Sequence, residues 1–112
     1  MSKSLYARCI RRWEVEFKPH CDSKKNPHWR KYHLRSYIRT AALVTADSMV
    51  EEMAEENARF DFGIKGWSPE FSAWYQERRG KYLKEARDHL NEEATIAEID
   101  DEIQNELEAW ND

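Results

Sequence analysis

The apolar positions of this chain recur at steps of three and four, and Gly and Pro interrupt them at only a few places. That spacing is the signature of amphipathic helices. The longest uninterrupted stretch opens at Asn26-Pro27 and closes at Asp61-Phe62-Gly63. Asn is a good helix cap, and Pro suits the first helical position because its missing N–H needs no partner there. Gly63 suits a left-handed stop. The 34 residues from Pro27 to Phe60 hold no Gly and no second Pro. Their apolar positions are Trp29, Tyr32, Tyr37, Ile38, Ala41, Ala42, Val44, Met49, Val50, Met53 and Phe60. A rod of that length would run ~50 Å and cannot bury its stripe alone. A break near Thr45, with Asp47 or Ser48 capping a second segment, is the alternative.

Phe60 to Pro69 reads as a structured loop, with two Gly, a Pro and several aromatic rings. Ser68-Pro69-Glu70 then opens another helix: cap, Pro at the first position, acid in the first turn. Its stripe is Phe71, Trp74, Tyr75, Tyr82, Leu83, Ala86 and Leu90. Gly80 inside it costs ~1 kcal/mol relative to Ala, so a close contact or a bend is expected there. Thr95-Ile96-Ala97-Glu98 is a capping box. Ile96, Ile99, Ile103, Leu107 and Trp110 form a narrow seam after it.

Leu5 to Phe17 fits two patterns. Trp13, Val15 and Phe17 alternate with Glu14 and Glu16, as in a strand. Leu5, Cys9, Ile10 and Trp13 fit a helical stripe. An extended arm packed on the long helix is the expectation taken forward. Lys18 to Asn26 reads as a loop. The fold expected is thus mainly α: one small domain over 1–112, with a short extended or strand segment in an N-terminal arm (1–25). A long helix (26–62), a loop (63–68) and two further C-terminal helices (69–112) follow.

Charge adds a second pattern. Residues 1–40 hold 11 Lys+Arg against 3 Asp+Glu, and residues 41–112 hold 7 against 19, for −4 overall. The stretch from Glu92 to Asp112 has nine acidic residues and no basic one. Such asymmetry bears on partners and steering rather than on fold. In the long helix the bases come first and the acids last, against the helix dipole. No apolar run approaches the ~20 residues of a bilayer span. Met1-Ser2-Lys3-Ser4 has no apolar signal core behind it. An intracellular protein is expected, with Cys9 and Cys21 as free thiols.

The chemistry-bearing residues form no convincing site. Cys9, His20, Cys21, His28 and His33 cluster in sequence, but without the close pairs of a zinc site. His28 and His33, five apart on a helix, would not face one way. No Gly-x-Ser-x-Gly motif and no phosphate-cradling loop occurs. No metal, no cofactor and no enzymatic activity are expected. A basic N-terminal third with interleaved aromatics, including Arg30, Lys31 and Arg35, offers phosphate neutralisation and stacking for nucleic acid. The pI of 5.6 argues against that use. The acidic last helix is either a solvated face, a phosphate mimic, or a surface docking into a basic groove with its seam as anchor. The Ser68-Pro69 bond, beside Trp67, is a candidate cis–trans switch, with plain trans Pro as the alternative.

Three stretches carry a family resemblance: Lys31-Tyr32-His33-Leu34-Arg35-Ser36-Tyr37-Ile38-Arg39-Thr40-Ala41-Ala42, Gly63-Ile64-Lys65-Gly66-Trp67-Ser68-Pro69-Glu70-Phe71, and the acidic ending. Along its whole length the chain resembles the second anti-RecBCD protein family of lambdoid bacteriophages. The first of these stretches is also similar, with an insertion, to the Gam-type inhibitor of the same enzyme. Gam's other features are missing, so a Gam-like dimer mimicking duplex DNA is not expected. The resemblance implies a phage protein in the host cytoplasm that binds the RecBCD helicase–nuclease through its RecC subunit. It implies that unwinding continues while the response to Chi is lost, favouring phage recombination. It also implies association with a host cyclophilin-type prolyl isomerase, placed at Pro69. The partner-binding candidates are Trp67, Ser68, Pro69, Glu70, Arg30, Lys31 and Arg35. No membrane contact and no direct nucleic-acid contact are expected, and nucleic-acid binding by the basic third is the alternative.

Overall fold

The computed structural model describes residues 4–17 and 35–110. It is helical: α1 (Leu5–Phe17), α2 (Arg35–Phe62), α3 (Pro69–Glu93) and α4 (Ile96–Trp110). The sequence-predicted start of α2 at Asn26-Pro27, the 18–26 loop, and Arg30 and Lys31 lie outside the described residues. From Arg35 onward α2 is continuous for 28 residues, roughly 42 Å, with no break near Thr45.

The expectation of an extended segment near the N-terminus is corrected: Leu5–Phe17 is a helix, and no strand occurs among the described residues. Ser4 caps it, its hydroxyl accepting from the Ala7 N–H at 3.2 Å. The helical stripe prevails over the alternation because it buries more. Leu5, Cys9 and Trp13 are sealed in the core, whereas Val15, which a strand would have turned inward beside Trp13 and Phe17, is half-exposed.

α1 and α3 both pack on α2, while α4 packs on α1 and α2. The buried face of α2 is built mainly from small side chains: Ala41, Ala42, Thr45, Ala46, Ala54 and Ala58 join Ile38, Met49 and Val50. Small residues let helix axes approach closely, so bulky neighbours on α1 and α3 fill the space. Those neighbours are Leu5 and Trp13 on one side, and Phe71, Tyr75, Tyr82 and Leu90 on the other. Three members of the predicted stripe are exposed instead: Tyr37 and Val44 are half-exposed and Phe60 is 85% exposed.

The N-terminus of α1 meets the C-terminus of α3 in a reciprocal cap. Asn91 Oδ1 accepts from the Leu5 N–H at 2.8 Å. The Arg8 guanidinium donates to the carbonyls of Leu90 (2.7 Å), Asn91 (2.8 Å) and Ala94. Backbone groups that a helix end leaves without partners are thereby satisfied, and a cation sits where the helix dipole favours one. One helix-turn further on, Arg12 forms a two-pronged ion pair with Asp100 of α4, at 2.7 and 2.9 Å. The Thr95 capping box starts α4: Thr95 Oγ1 accepts from the Glu98 N–H at 3.1 Å, and Glu98 Oε1 from the Thr95 N–H at 3.2 Å. The middle of the α4 seam lies inside the fold, with Ile99 and Ile103 buried and Leu107 partly buried, while Ile96 is exposed. Ile99 and Ile103 are therefore not available as anchors for a partner's groove in this arrangement.

Gly80 also departs from expectation. α3 runs through it, and a Cβ there would meet nothing within 4 Å, so no close contact requires glycine.

Candidate partner-binding corner

The end of α2, the loop 63–68 and the start of α3 form a corner whose local geometry follows from three residues. Gly63 takes φ +93°, the left-handed region that favours glycine. The Gly63 and Ile64 N–H groups both donate to the Arg59 carbonyl, at 2.8 and 3.1 Å, closing α2. Ser68 is extended and its hydroxyl accepts from the Phe71 N–H at 3.0 Å, as an N-cap should. Pro69 occupies the first turn, and the Ser68–Pro69 bond is trans. Glu70 adds a negative charge beside the positive end of the α3 dipole.

Beneath the loop lies a floor of rings. Phe62 meets Phe71 edge-on at 5.5 Å and Trp74 at 5.3 Å. Phe71 stacks on Tyr75 at 5.6 Å, and Tyr82 lies 6.0 Å from Trp74. The Arg78 guanidinium covers Trp74 at 4.7 Å and donates to its carbonyl at 2.9 Å. Tyr82 donates to Asp61 at 2.6 Å; that bond, with burial, pushes its phenol up to about 12. These contacts fix the loop's two ends against the helices.

Two large apolar side chains are left out of this floor. Trp67 is 70% exposed and Phe60 85% exposed. Phe60 precedes Phe62 by two residues, so it projects from nearly the opposite side of α2. Both belong to one end of the molecule, seven positions apart in sequence.

Of the sequence-predicted site residues, Trp67, Ser68, Pro69 and Glu70 share this corner. Ser68 is half-buried in its capping role, and Pro69 and Glu70 are exposed. Arg35 is exposed at the other end of α2, roughly 40 Å away along the helix axis, and is not brought to them. Phe60 was assigned to the core stripe by its spacing. Its position next to the helix-ending Asp61-Phe62-Gly63 is the signal that could have marked it as a corner residue.

The arrangement leaves two large apolar side chains exposed where α2 ends and α3 begins. Among the described residues, no group of three or more His, Cys, Asp or Glu is placed to hold a metal. No helix among them is long and apolar enough to cross a membrane. Cys9 is sealed in the core, and burial above all pushes its thiol up to about 12, away from the reactive thiolate. No protein-family model matches the chain, and no curated protein or solved structure matches it either.

Proposed function

We propose that this chain is a helical binding module with no chemistry of its own, acting by docking on a large DNA-processing machine. The observation that carries the reading is the exposure of Phe60 and Trp67, at the end of α2 and in the loop that follows it, while the neighbouring rings are packed. Exposed aromatic side chains on a fixed mount are the usual anchors of protein interfaces. The family resemblance of the 31–42 and 63–71 stretches names the partner: RecBCD, through RecC, with unwinding retained and Chi response lost. The cyclophilin-type isomerase belongs to the same proposal, with exposed Pro69 and Trp67 as its contact.

The nucleic-acid alternative has less support. Of the N-terminal bases, Arg8 is engaged on the α3 carbonyls, and Arg12 is paired with Asp100 at partly exposed positions. The test is co-elution of the purified chain with purified RecBCD in the absence of DNA. A stable complex is expected. Absence of a complex, together with tight binding to bare duplex that falls steeply with salt, would replace this reading by the alternative.

A further inference from the structure

The interface of α1, α2 and α4, remote from the corner, holds a polar chain that packing alone does not require. The Trp13 Nε1–H donates to Thr45 Oγ1 at 2.8 Å. Thr45 Oγ1 lies 3.0 Å from the Ala41 carbonyl and 2.6 Å from Glu106 Oε2. Thr45 is fully buried. The second carboxyl oxygen, Glu106 Oε1, is buried with no hydrogen-bond partner among the described residues.

A threonine hydroxyl carries one proton and two lone pairs. It cannot donate to Ala41 and to Glu106 at once. If Glu106 is ionised, one of the two contacts is not a hydrogen bond, and a buried anionic oxygen has no donor. If Glu106 is protonated, its O–H donates to Thr45, Thr45 donates to Ala41, and Trp13 donates to the remaining lone pair of Thr45. All three contacts are then hydrogen bonds, and the orphaned oxygen is neutral, which lowers the cost of burying it.

We infer that the seating of α4 is proton-linked: a neutral Glu106, hydrogen-bonded to Thr45, latches the helix onto α1 and α2, and ionisation of Glu106 loosens it. The surroundings agree. From α1, Cys9 is a thiol whose ionisation is disfavoured chiefly by burial, favoured by the Arg8 charge and disfavoured further by Glu106 and Glu102; Arg8 turns its terminal nitrogens to the α3 carbonyls, its Nε buried without a partner among the described residues, and Arg12 is held by Asp100. From α2, Glu52 faces Glu102. On α4 itself, Glu102 is half-buried next to Glu106. Burial pushes the Glu106 carboxyl up, opposed by its bond to Thr45. Burial followed by Glu106 and Glu52 pushes Glu102 up as well. No base from these elements neutralises this group of carboxyls.

The direction follows from proton linkage. A carboxyl raised in the docked state binds more protons there than in the undocked state, so docking is strongest in acid. It weakens as pH rises from the free glutamate range through the Glu106 midpoint, and is constant above it.

The test uses the full chain. The Glu106 side-chain carboxyl is titrated by carbon NMR, and α4 amide exchange, corrected for intrinsic rates, is followed from pH 4.5 to pH 8. The latch predicts a Glu106 midpoint above that of a free glutamate. It predicts α4 opening that grows about tenfold for each unit of that displacement. Glu106→Gln, whose amide N–H can replace the carboxyl O–H, should remove the Glu106 share of the pH dependence of α4 opening and leave only the weaker share of Glu102, whereas Glu102→Gln should leave the Glu106 share in place. An ordinary or lowered Glu106 midpoint, which wild-type protein alone reveals, would overturn the inference. So would a pH-independent α4, or a dependence abolished by Glu102→Gln and kept by Glu106→Gln.

Discussion

Tyr82, in the middle of α3, donates a 2.6 Å hydrogen bond to Asp61, in the last turn of α2. The bond ties together the two helices that frame the candidate corner, and it has a titratable consequence. The phenol is raised to about 12, so the folded state binds more protons than the unfolded state between the ordinary tyrosine range and that value. The stability this bond contributes is fully present below pH 10 and is lost as pH rises above it. Absorbance titration should show one tyrosine ionising last, near the onset of alkaline unfolding. Tyr82→Phe should abolish that late step and cost about 1 kcal/mol in denaturant unfolding, the usual worth of one such bond.

Gly80 offers a gain in stability. It lies within α3, and a Cβ would meet open space. Gly80→Ala should raise stability by about 1 kcal/mol, since alanine removes conformational freedom from the unfolded chain and fits the helix. Thermal unfolding should shift upward by several degrees. A loss of stability would mean that glycine is needed there after all.

Thr45 separates hydroxyl from volume. Thr45→Val keeps the shape but removes the acceptor of the Trp13 N–H and the group facing Glu106. A cost of about 1–3 kcal/mol is expected, with a displaced Trp13 indole N–H resonance. Thr45→Ser keeps the hydroxyl and should leave that resonance near its wild-type position, at a cost of about 1 kcal/mol for the lost methyl.

These examples show which parts of the molecule were legible in the sequence. Local signals with a stereochemical cause were readable. Ser68-Pro69 starts a helix, Thr95 and Glu98 form a capping box, and the α3 stripe from Phe71 to Leu90 faces the core. Patterns that depend on the partner surface were not. Leu5–Phe17 fitted two periods, and only contact with α2 selects the helical one, by burying Cys9 and Trp13 together. Ala54 and Ala58 are core residues with no apolar bulk to announce them, while Phe60 has the bulk and lies outside.

The candidate site divides along the same line. Trp67, Ser68, Pro69 and Glu70 were readable because the loop signal and the cap are local. The polar chain from Trp13 through Thr45 to Glu106 joins residues 32 and 61 positions apart in sequence, and no local pattern predicts it. Nor does any local pattern point to the partners of Arg8, which are carbonyls more than 80 positions away.

The claim that this chain works through an aromatic corner is tested most directly by the affinity of purified RecBCD for wild-type protein and for the double variant Phe60→Ala, Trp67→Ala. Both side chains are largely exposed, so the variant should fold with stability close to wild type. Wild-type protein should bind, with or without DNA present. The double variant should bind at least about 30-fold more weakly, the loss expected when interface anchors are truncated. Equal affinity of the two proteins, or no binding by the wild type, would contradict the claim.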